Sequence, residues 1–242
     1  PRQGRRQRQM CIRDRSCLKW DRSPRGTRYF LKGKRPCDYE SQQVQCEDCL
    51  ELDLASHSRP CRGEYVNGDL AMLEQRDHLA MLAVIDGLGH GAEANRVATM
   101  ARDCLKYRWS QDVVATMRLL HEALRGSLGA VAGIAVVETR SGLVRFAGIG
   151  NIAYRLVGPK DTRLISMAGH LGHQIRSAQV QEHQLGEDDV VIMYSDGVKD
   201  RFDVEDYPQL RYQSAETIAR TVVERFGKSH DDATCVALRI AQ

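Results

Sequence analysis

Four short acidic motifs, far apart in the chain, hold the side chains best suited to chemistry. They are Gly68-Asp69, Asp86-Gly87, Ser195-Asp196-Gly197 and Asp231-Asp232. Apolar runs typical of buried strands precede the second and third motifs and follow the fourth. Carboxylates at strand ends can meet in one cleft, where they repel one another unless a cation is bound. Hard oxygen ligands favour Mg²⁺ or Mn²⁺. The motifs therefore indicate a metal-dependent hydrolase.

The elements that must position these motifs are mostly strands joined by tight turns. From about residue 47 the pattern becomes regular: Leu50, Leu52 and Leu54 alternate with charged residues, and apolar runs bounded by turn residues predict further strands in hairpin-linked runs. They cover residues 50–54, 65–74, 78–85, 130–139, 143–148, 153–157, 188–195 and 234–240, with weaker signals at 163–166, 179–184 and 207–210. Hairpin-linked strands with helices inserted between them predict an α+β fold with mostly antiparallel sheets.

Three helices are predicted from a change in hydrophobic period. After Gly91, apolar residues fall on one stripe that includes Val97, Ala101 and Leu105. A second helix is predicted over 112–125, and a third, amphipathic helix over 215–226. The first two helices directly follow the second acidic motif, and the third helix precedes the fourth acidic motif.

Residues 1–46 differ from the rest of the chain, and we expect a disordered leader there. The first 36 residues hold 13 of the 35 Lys and Arg residues but only Asp14 and Asp21 as acids, and they show no hydrophobic periodicity. The stretch 9–16 resembles a translated sequencing adapter, so the leader is either an artefact or a genuine basic tail. Residues 47–242 form the catalytic domain in this interpretation. That domain is acidic, which argues against a nucleic-acid partner.

Cysteines concentrate near the leader, and two interpretations of them stay open. Cys46-x-x-Cys49 with Cys37 and Cys61 could form a four-thiolate zinc site, although a second close pair is missing. Unpaired thiols in a reducing cytosol are the simpler interpretation. No apolar run approaches the roughly 20 residues that a membrane span needs, and no signal-peptide core is present. We therefore expect a cytoplasmic protein with no membrane partner.

Taken together, the four motifs resemble those of the PPM-type metal-dependent protein phosphatases, in the SpoIIE/RsbX branch. The resemblance runs from about Glu51 to Ile240, some four-fifths of the chain, and includes the segments 146–151 and 169–174. It implies a four-layer α-β-β-α sandwich of two mostly antiparallel sheets flanked by helix pairs. The metals would lie at one end, between the sheets.

The resemblance also implies roles for individual residues. Asp86 would bridge two Mn²⁺ or Mg²⁺ ions, and the carbonyl of Gly87 would complete the shell of one of them. Asp196 and Asp231 would hold the other ion, while Asp69 would act through bound water or at a more distant position. Two such ions activate a water molecule for attack on a phosphoryl group. All four aspartates are candidate catalytic residues.

The sequence departs from the family pattern at two positions near the motifs. Leu88 stands where larger members carry a histidine after the metal-binding Asp-Gly. His90 lies two residues further on, where a loop or helix-capping role is favoured over acid catalysis. Glu64 stands where the larger enzymes place a phosphate-binding arginine. Arg62 could replace that arginine, although an exposed side chain without a ligand is the simpler expectation.

Three further polar residues have less specific signals. Asp232 could accept a hydrogen bond or reach an additional ion. His170 and His173 flank a predicted turn and lack a nearby third ligand, so we expect loop residues.

The resemblance implies a phosphatase that acts on phosphoserine and phosphothreonine in a bacterial stress-signalling, partner-switching pathway. Its expected partners are phosphorylated regulators of the anti-sigma-factor-antagonist or stressosome type. One alternative is a histidine-kinase-type ATP-binding protein, because Asp86-Gly-Leu-Gly looks like part of a nucleotide-binding box. That fold needs an earlier helix with Glu and Asn, and it leaves Asp196 and Asp231 without a role. A phosphatase fold that only binds, without catalysis, is the other alternative.

Overall fold

A computed structural model describes residues 49–159, 161–199 and 209–241, together with the backbone of 21–23 and 26–30. Its strands are β1 (Asp21–Ser23), β2 (Gly26–Phe30), β3 (Leu52–Arg59), β4 (Asp69–Arg76), β5 (Leu79–Gly87), β6 (Ala130–Glu138), β7 (Leu143–Ile149), β8 (Ala153–Val157), β9 (Thr162–Leu164), β10 (Gln181–Gln184), β11 (Val190–Tyr194) and β12 (Ala233–Ile240). The helices are α1 (Gly91–Arg108), α2 (Val113–Ala123) and α3 (Ala215–Phe226), with a 3-10 turn at Leu210–Tyr212.

The strands form two antiparallel sheets. One sheet has the order β10-β7-β6-β5-β4, and the other has the order β1-β2-β3-β12-β11-β8-β9. Strand neighbours are mostly consecutive in the chain, as hairpin connections require. The mostly antiparallel α+β fold predicted from the sequence is confirmed.

Alternating side chains give the sandwich three apolar layers. In β5, Leu82 and Val84 face the second sheet, while Met81 and Ile85 face α1 and α2. In β11, alternate residues pack either between the sheets or against α3. The four layers are therefore helices, sheet, sheet and helix. A helix pair covers the first sheet, whereas the second sheet has α3 and the short 3-10 turn within the described ranges, rather than a pair of α-helices.

Some element boundaries differ from the predicted ones. The strand predicted from residue 65 begins at Asp69, because the polar segment 60–68 forms a loop held by side-chain contacts. Leu210, predicted as a strand residue, begins the 3-10 turn, while residues 207 and 208 lie outside the described residues. No helix within the described ranges is long and apolar enough to cross a membrane.

Eight leader residues have regular backbone structure where we expected disorder. Strands β1 and β2 pair with each other, and Thr27–Phe30 of β2 pairs with β3, so the hairpin covers an otherwise unpaired sheet edge. The rest of residues 1–46 lies outside the described residues. Of the proposed zinc ligands, Cys37 and Cys46 are also outside them, Cys49 is exposed, and Cys61 is a free thiol.

Candidate metal centre

The four acidic motifs meet at one end of the sandwich. Asp69 begins β4 and stands directly opposite Asp86, the penultimate residue of β5, in the antiparallel pair. Asp196 follows β11 by two residues, and Asp231 precedes β12 by two. Because β11 and β12 are antiparallel neighbours, the end of one strand lies beside the start of the other. Each sheet therefore contributes two carboxylates.

The carboxylates of these motifs repel one another. Burial, together with the charges of Asp69, Asp196, Asp231 and Asp232, raises the pKa of Asp86 to about 9. Burial also raises the pKa of Asp69 to about 7, although a hydrogen bond from Ser195 opposes that shift. Without a cation, this cluster disfavours its own ionisation, as expected for a site built to bind positive charge.

Local donors hold several of these carboxylates individually. The Ser195 hydroxyl donates to Asp69 Oδ2 over 2.5 Å, and the Asn151 amide donates to Asp196 Oδ2 over 2.7 Å. Asp231 Oδ1 accepts the backbone N–H of the next residue at 3.0 Å. Within the described ranges, no three His, Cys, Asp or Glu side chains already converge as ligands of one ion.

Two glycines in the motifs allow close contact between segments of the chain. A Cβ atom at Gly87 would lie 2.3 Å from the carbonyl oxygen of Ala94, in the first turn of α1. A Cβ atom at Gly197 would lie 1.6 Å from the carbonyl oxygen of Asp232. The structure therefore explains these glycines by backbone packing, which joins the second motif to α1 and the third motif to the fourth.

Asp232 anchors the loop 60–68 that precedes β4. Its buried carboxylate accepts the backbone N–H of Cys61 at Oδ1 (2.7 Å) and that of Gly68 at Oδ2 (2.9 Å). Both oxygens are engaged by backbone donors, so the hydrogen-bonding role favoured by the sequence fits better than coordination of an additional ion.

His90 and Arg62 lie at the rim of the cluster. His90 is the N-cap residue of α1, yet its side chain does not cap the helix. Its Nδ1 instead lies 2.8 Å from Glu64 Oε1. Arg62 is exposed, and among the described residues no hydrogen bond or ion pair joins its guanidinium to the acidic cluster. His173 belongs to the loop between β9 and β10, where its Nε2 lies 2.9 Å from the Leu128 carbonyl oxygen.

Three residues that support the cluster were not identified as functional from the sequence. Lys228 donates through Nζ to the carbonyl of Asp196 and through its backbone N–H to Gly197. Asn151 and Ser195 were visible only as neighbours within quoted motifs. A serine directly before the Asp-Gly of the third motif was the one available signal.

Similarity to known proteins identifies the family of this chain. Residues 76–241 match the family model of stage II sporulation protein E (SpoIIE). The chain belongs to the SpoIIE family. The matched region contains Asp86, Asp196 and Asp231, whereas Asp69 lies just before it.

Individual relatives lead to the same family. The phosphoserine phosphatase RsbX of Bacillus subtilis is 21% identical over 200 residues, covering 80% of this chain and 97% of RsbX. A structure described as "The bacterial stressosome: a modular system that has been adapted to control secondary messenger signaling" has a TM-score of 0.73 and 28% identity, covering 78% of this chain and all of that one.

Two further structures share the fold at lower identity. RsbX in complex with magnesium has a TM-score of 0.67 at 21% identity, covering 78% of this chain and 96% of its own. The catalytic domain of the phosphatase PstP, with two manganese ions, has a TM-score of 0.63 at 15% identity, covering 79% and 99%. The SpoIIE-family chain is thus a PP2C-type protein phosphatase. The predicted family and fold are confirmed, and the ATP-binding alternative is wrong.

Proposed function

We propose that this phosphatase hydrolyses phosphoserine and phosphothreonine on regulatory proteins and uses two bound Mn²⁺ or Mg²⁺ ions. Asp69, Asp86, Asp196, Asp231 and the carbonyl of Gly87 would hold them. The observation that carries the proposal is that four carboxylates, two from each sheet, meet at one end of the sandwich, where Asp69 and Asp86 are buried opposite each other. Such a cluster is unfavourable alone and becomes favourable around cations.

The donor set fits these ions. It consists of carboxylates and one backbone carbonyl, the hard oxygen ligands typical of Mg²⁺ and Mn²⁺ sites. When bound, divalent ions offset phosphoryl charge and lower the pKa of a water molecule. The chain's own residues position the ligands: Asn151 and Lys228 hold the Asp196 loop by its side chain and its carbonyl.

We further propose that the substrates are phosphorylated stress regulators of the anti-sigma-factor-antagonist or stressosome type. Support comes from the similarity to RsbX, named as a phosphoserine phosphatase, and to a protein whose structure concerns the stressosome. Glu64 pairs with His90, and the exposed Arg62 makes no hydrogen bond or ion pair with the carboxylates among the described residues. Phosphate recognition would therefore depend less on an arginine clamp and more on docking of the whole protein substrate.

The test is Mn²⁺-dependent release of phosphate from a phosphoserine peptide and from phosphorylated regulators encoded near the gene. Asp86→Asn should abolish release. Asp103→Asn is a matched control, because Asp103 is an exposed residue on α1 paired with Arg102. Metal binding without release from any of these substrates would instead favour the non-catalytic binding module.

A further inference from the structure

Ser195 connects the two sheets at the acidic end of the sandwich. Its side chain is fully buried, and its hydroxyl donates to Asp69 Oδ2 over 2.5 Å. Ser195 follows β11 in the seven-stranded sheet, whereas Asp69 begins β4 in the five-stranded sheet. These residues are 126 positions apart in the chain. The bond therefore joins the two halves of the acidic cluster directly.

A second contact fixes the direction of the Ser195 hydroxyl. Its oxygen accepts the backbone N–H of Thr234 at 3.0 Å, and the backbone N–H of Ser195 donates to the Thr234 carbonyl at 3.0 Å. Because a backbone N–H can only donate, it uses a lone pair of the hydroxyl oxygen and leaves the single hydroxyl proton for Asp69. The serine is thus clamped on β12, with its proton directed at the carboxylate of the other sheet.

We propose that Ser195 is a positioning residue of the metal centre, which holds the Asp69 carboxylate in one orientation across the gap between the sheets. The inference rests on the proposed function, because it takes Asp69 as a metal-binding residue. One oxygen of Asp69 is occupied by the serine, which restricts the orientation of the carboxylate, and the Thr234 side chain bonds the same carboxylate.

The chain offers a matched control on the same hydroxyl network. Thr234 Oγ1 donates to Ser58 Oγ at 2.9 Å, so Ser58 lies one hydroxyl further from Asp69. Ser58→Ala removes the same group as Ser195→Ala yet leaves the bond between Ser195 and Asp69 in place.

The experiment is calorimetric titration of the full chain with MnCl₂, so the readout does not depend on turnover. We expect Ser195→Ala to weaken Mn²⁺ binding about 10-fold or more, the effect typical of losing a residue that orients a metal ligand. Ser58→Ala should bind as the wild type does. In Ser195→Cys the S–H group is a weak donor, so Mn²⁺ affinity should lie between those of the wild type and Ser195→Ala. This variant tests the inference if the alanine variant does not fold. Saturating Mn²⁺ should restore kcat in Ser195→Ala.

Each outcome decides the inference. Wild-type Mn²⁺ affinity in folded Ser195→Ala or Ser195→Cys would overturn it, and so would equal weakening by Ser58→Ala. If the wild type binds Mn²⁺ with the expected variant pattern but releases no phosphate, the proposed function fails while the role of Ser195 stands. A wild-type protein that binds no Mn²⁺ would overturn both.

Discussion

Asp86 illustrates how a residue suited to function opposes folding. It lies among four other carboxylates and is largely withdrawn from water, which raises its pKa to about 9. A buried group of this kind destabilises the metal-free protein, since a proton or a cation must neutralise it. Stability and metal binding therefore make opposite demands on this position.

We predict that Asp86→Asn abolishes Mn²⁺ binding and phosphatase activity but stabilises the metal-free protein. The amide keeps the size of the side chain and removes a charge that its neighbours repel. The gain should be about 1 kcal/mol or more, which corresponds to about 2–4 °C in Tm for a chain of this size. Thermal unfolding in EDTA measures it, and Asp103→Asn should leave Tm within about 1 °C. A lower Tm for Asp86→Asn would contradict this account.

At the scale of secondary-structure elements, close contact between backbone segments holds the third and fourth acidic motifs together. Gly197 follows β11 and packs against the backbone just before β12, so the third and fourth motifs are in direct backbone contact. We predict that Gly197→Ala costs at least about 3 kcal/mol, because its Cβ would overlap a backbone oxygen at 1.6 Å and the backbone cannot easily yield.

Gly186→Ala is the matched control for this prediction. Its Cβ would meet only a flexible side-chain oxygen of Asp189, at 3.1 Å. Urea unfolding of both variants gives the comparison. Equal midpoints for the two alanine variants would show that the packing of Gly197 has little effect on stability.

Asp232, directly before β12, accepts two backbone hydrogen bonds from the loop 60–68, which is also held by a backbone bond from Arg62 to Ser229. We predict that Asp232→Ala destabilises the protein by roughly 2–4 kcal/mol, because it leaves two backbone N–H groups, those of Cys61 and Gly68, without their acceptor. Asp232→Asn should cost less, since its amide oxygen still accepts from one of them. Urea unfolding measures both variants. A midpoint unchanged in Asp232→Ala would mean that the loop is attached by other contacts.

Local pattern predicted the elements well, and long-range contacts account for what it missed. Continuous apolar runs placed β5, β6 and β11 within a few residues, because each strand has one face buried between the sheets and the other buried against a helix. The start of β4 was misplaced because Asp232, 171 positions after Cys61, holds the preceding loop. Ser195 escaped notice for the same reason, since its partner lies in the other sheet. The order of the motifs in the sequence identified the aspartates, but it did not identify the hydrogen-bond donors that orient their carboxylates.

At the scale of the whole molecule, the acidic end should make the stability of the metal-free protein depend on pH. Asp69 and Asp86 have folded-state pKa values raised from the usual 3.8 to about 7 and about 9. Between pH 4 and pH 9 the folded protein therefore binds more protons than the unfolded chain does. Stability of the metal-free protein should then fall as pH rises through this window.

Divalent cations should oppose this loss of stability at high pH, because they bind the deprotonated carboxylates of the folded state. We predict that Tm in EDTA decreases from pH 5 to pH 9. Adding about 5 mM MnCl₂ should raise Tm, and this increase should become larger over the same pH range. Asp86→Asn should flatten both curves, whereas Asp103→Asn should follow the wild type. A Tm in EDTA that rises with pH would mean that the carboxylates are not coupled as the structure has them, and the argument for a cation-binding end of the sandwich would lose its electrostatic basis.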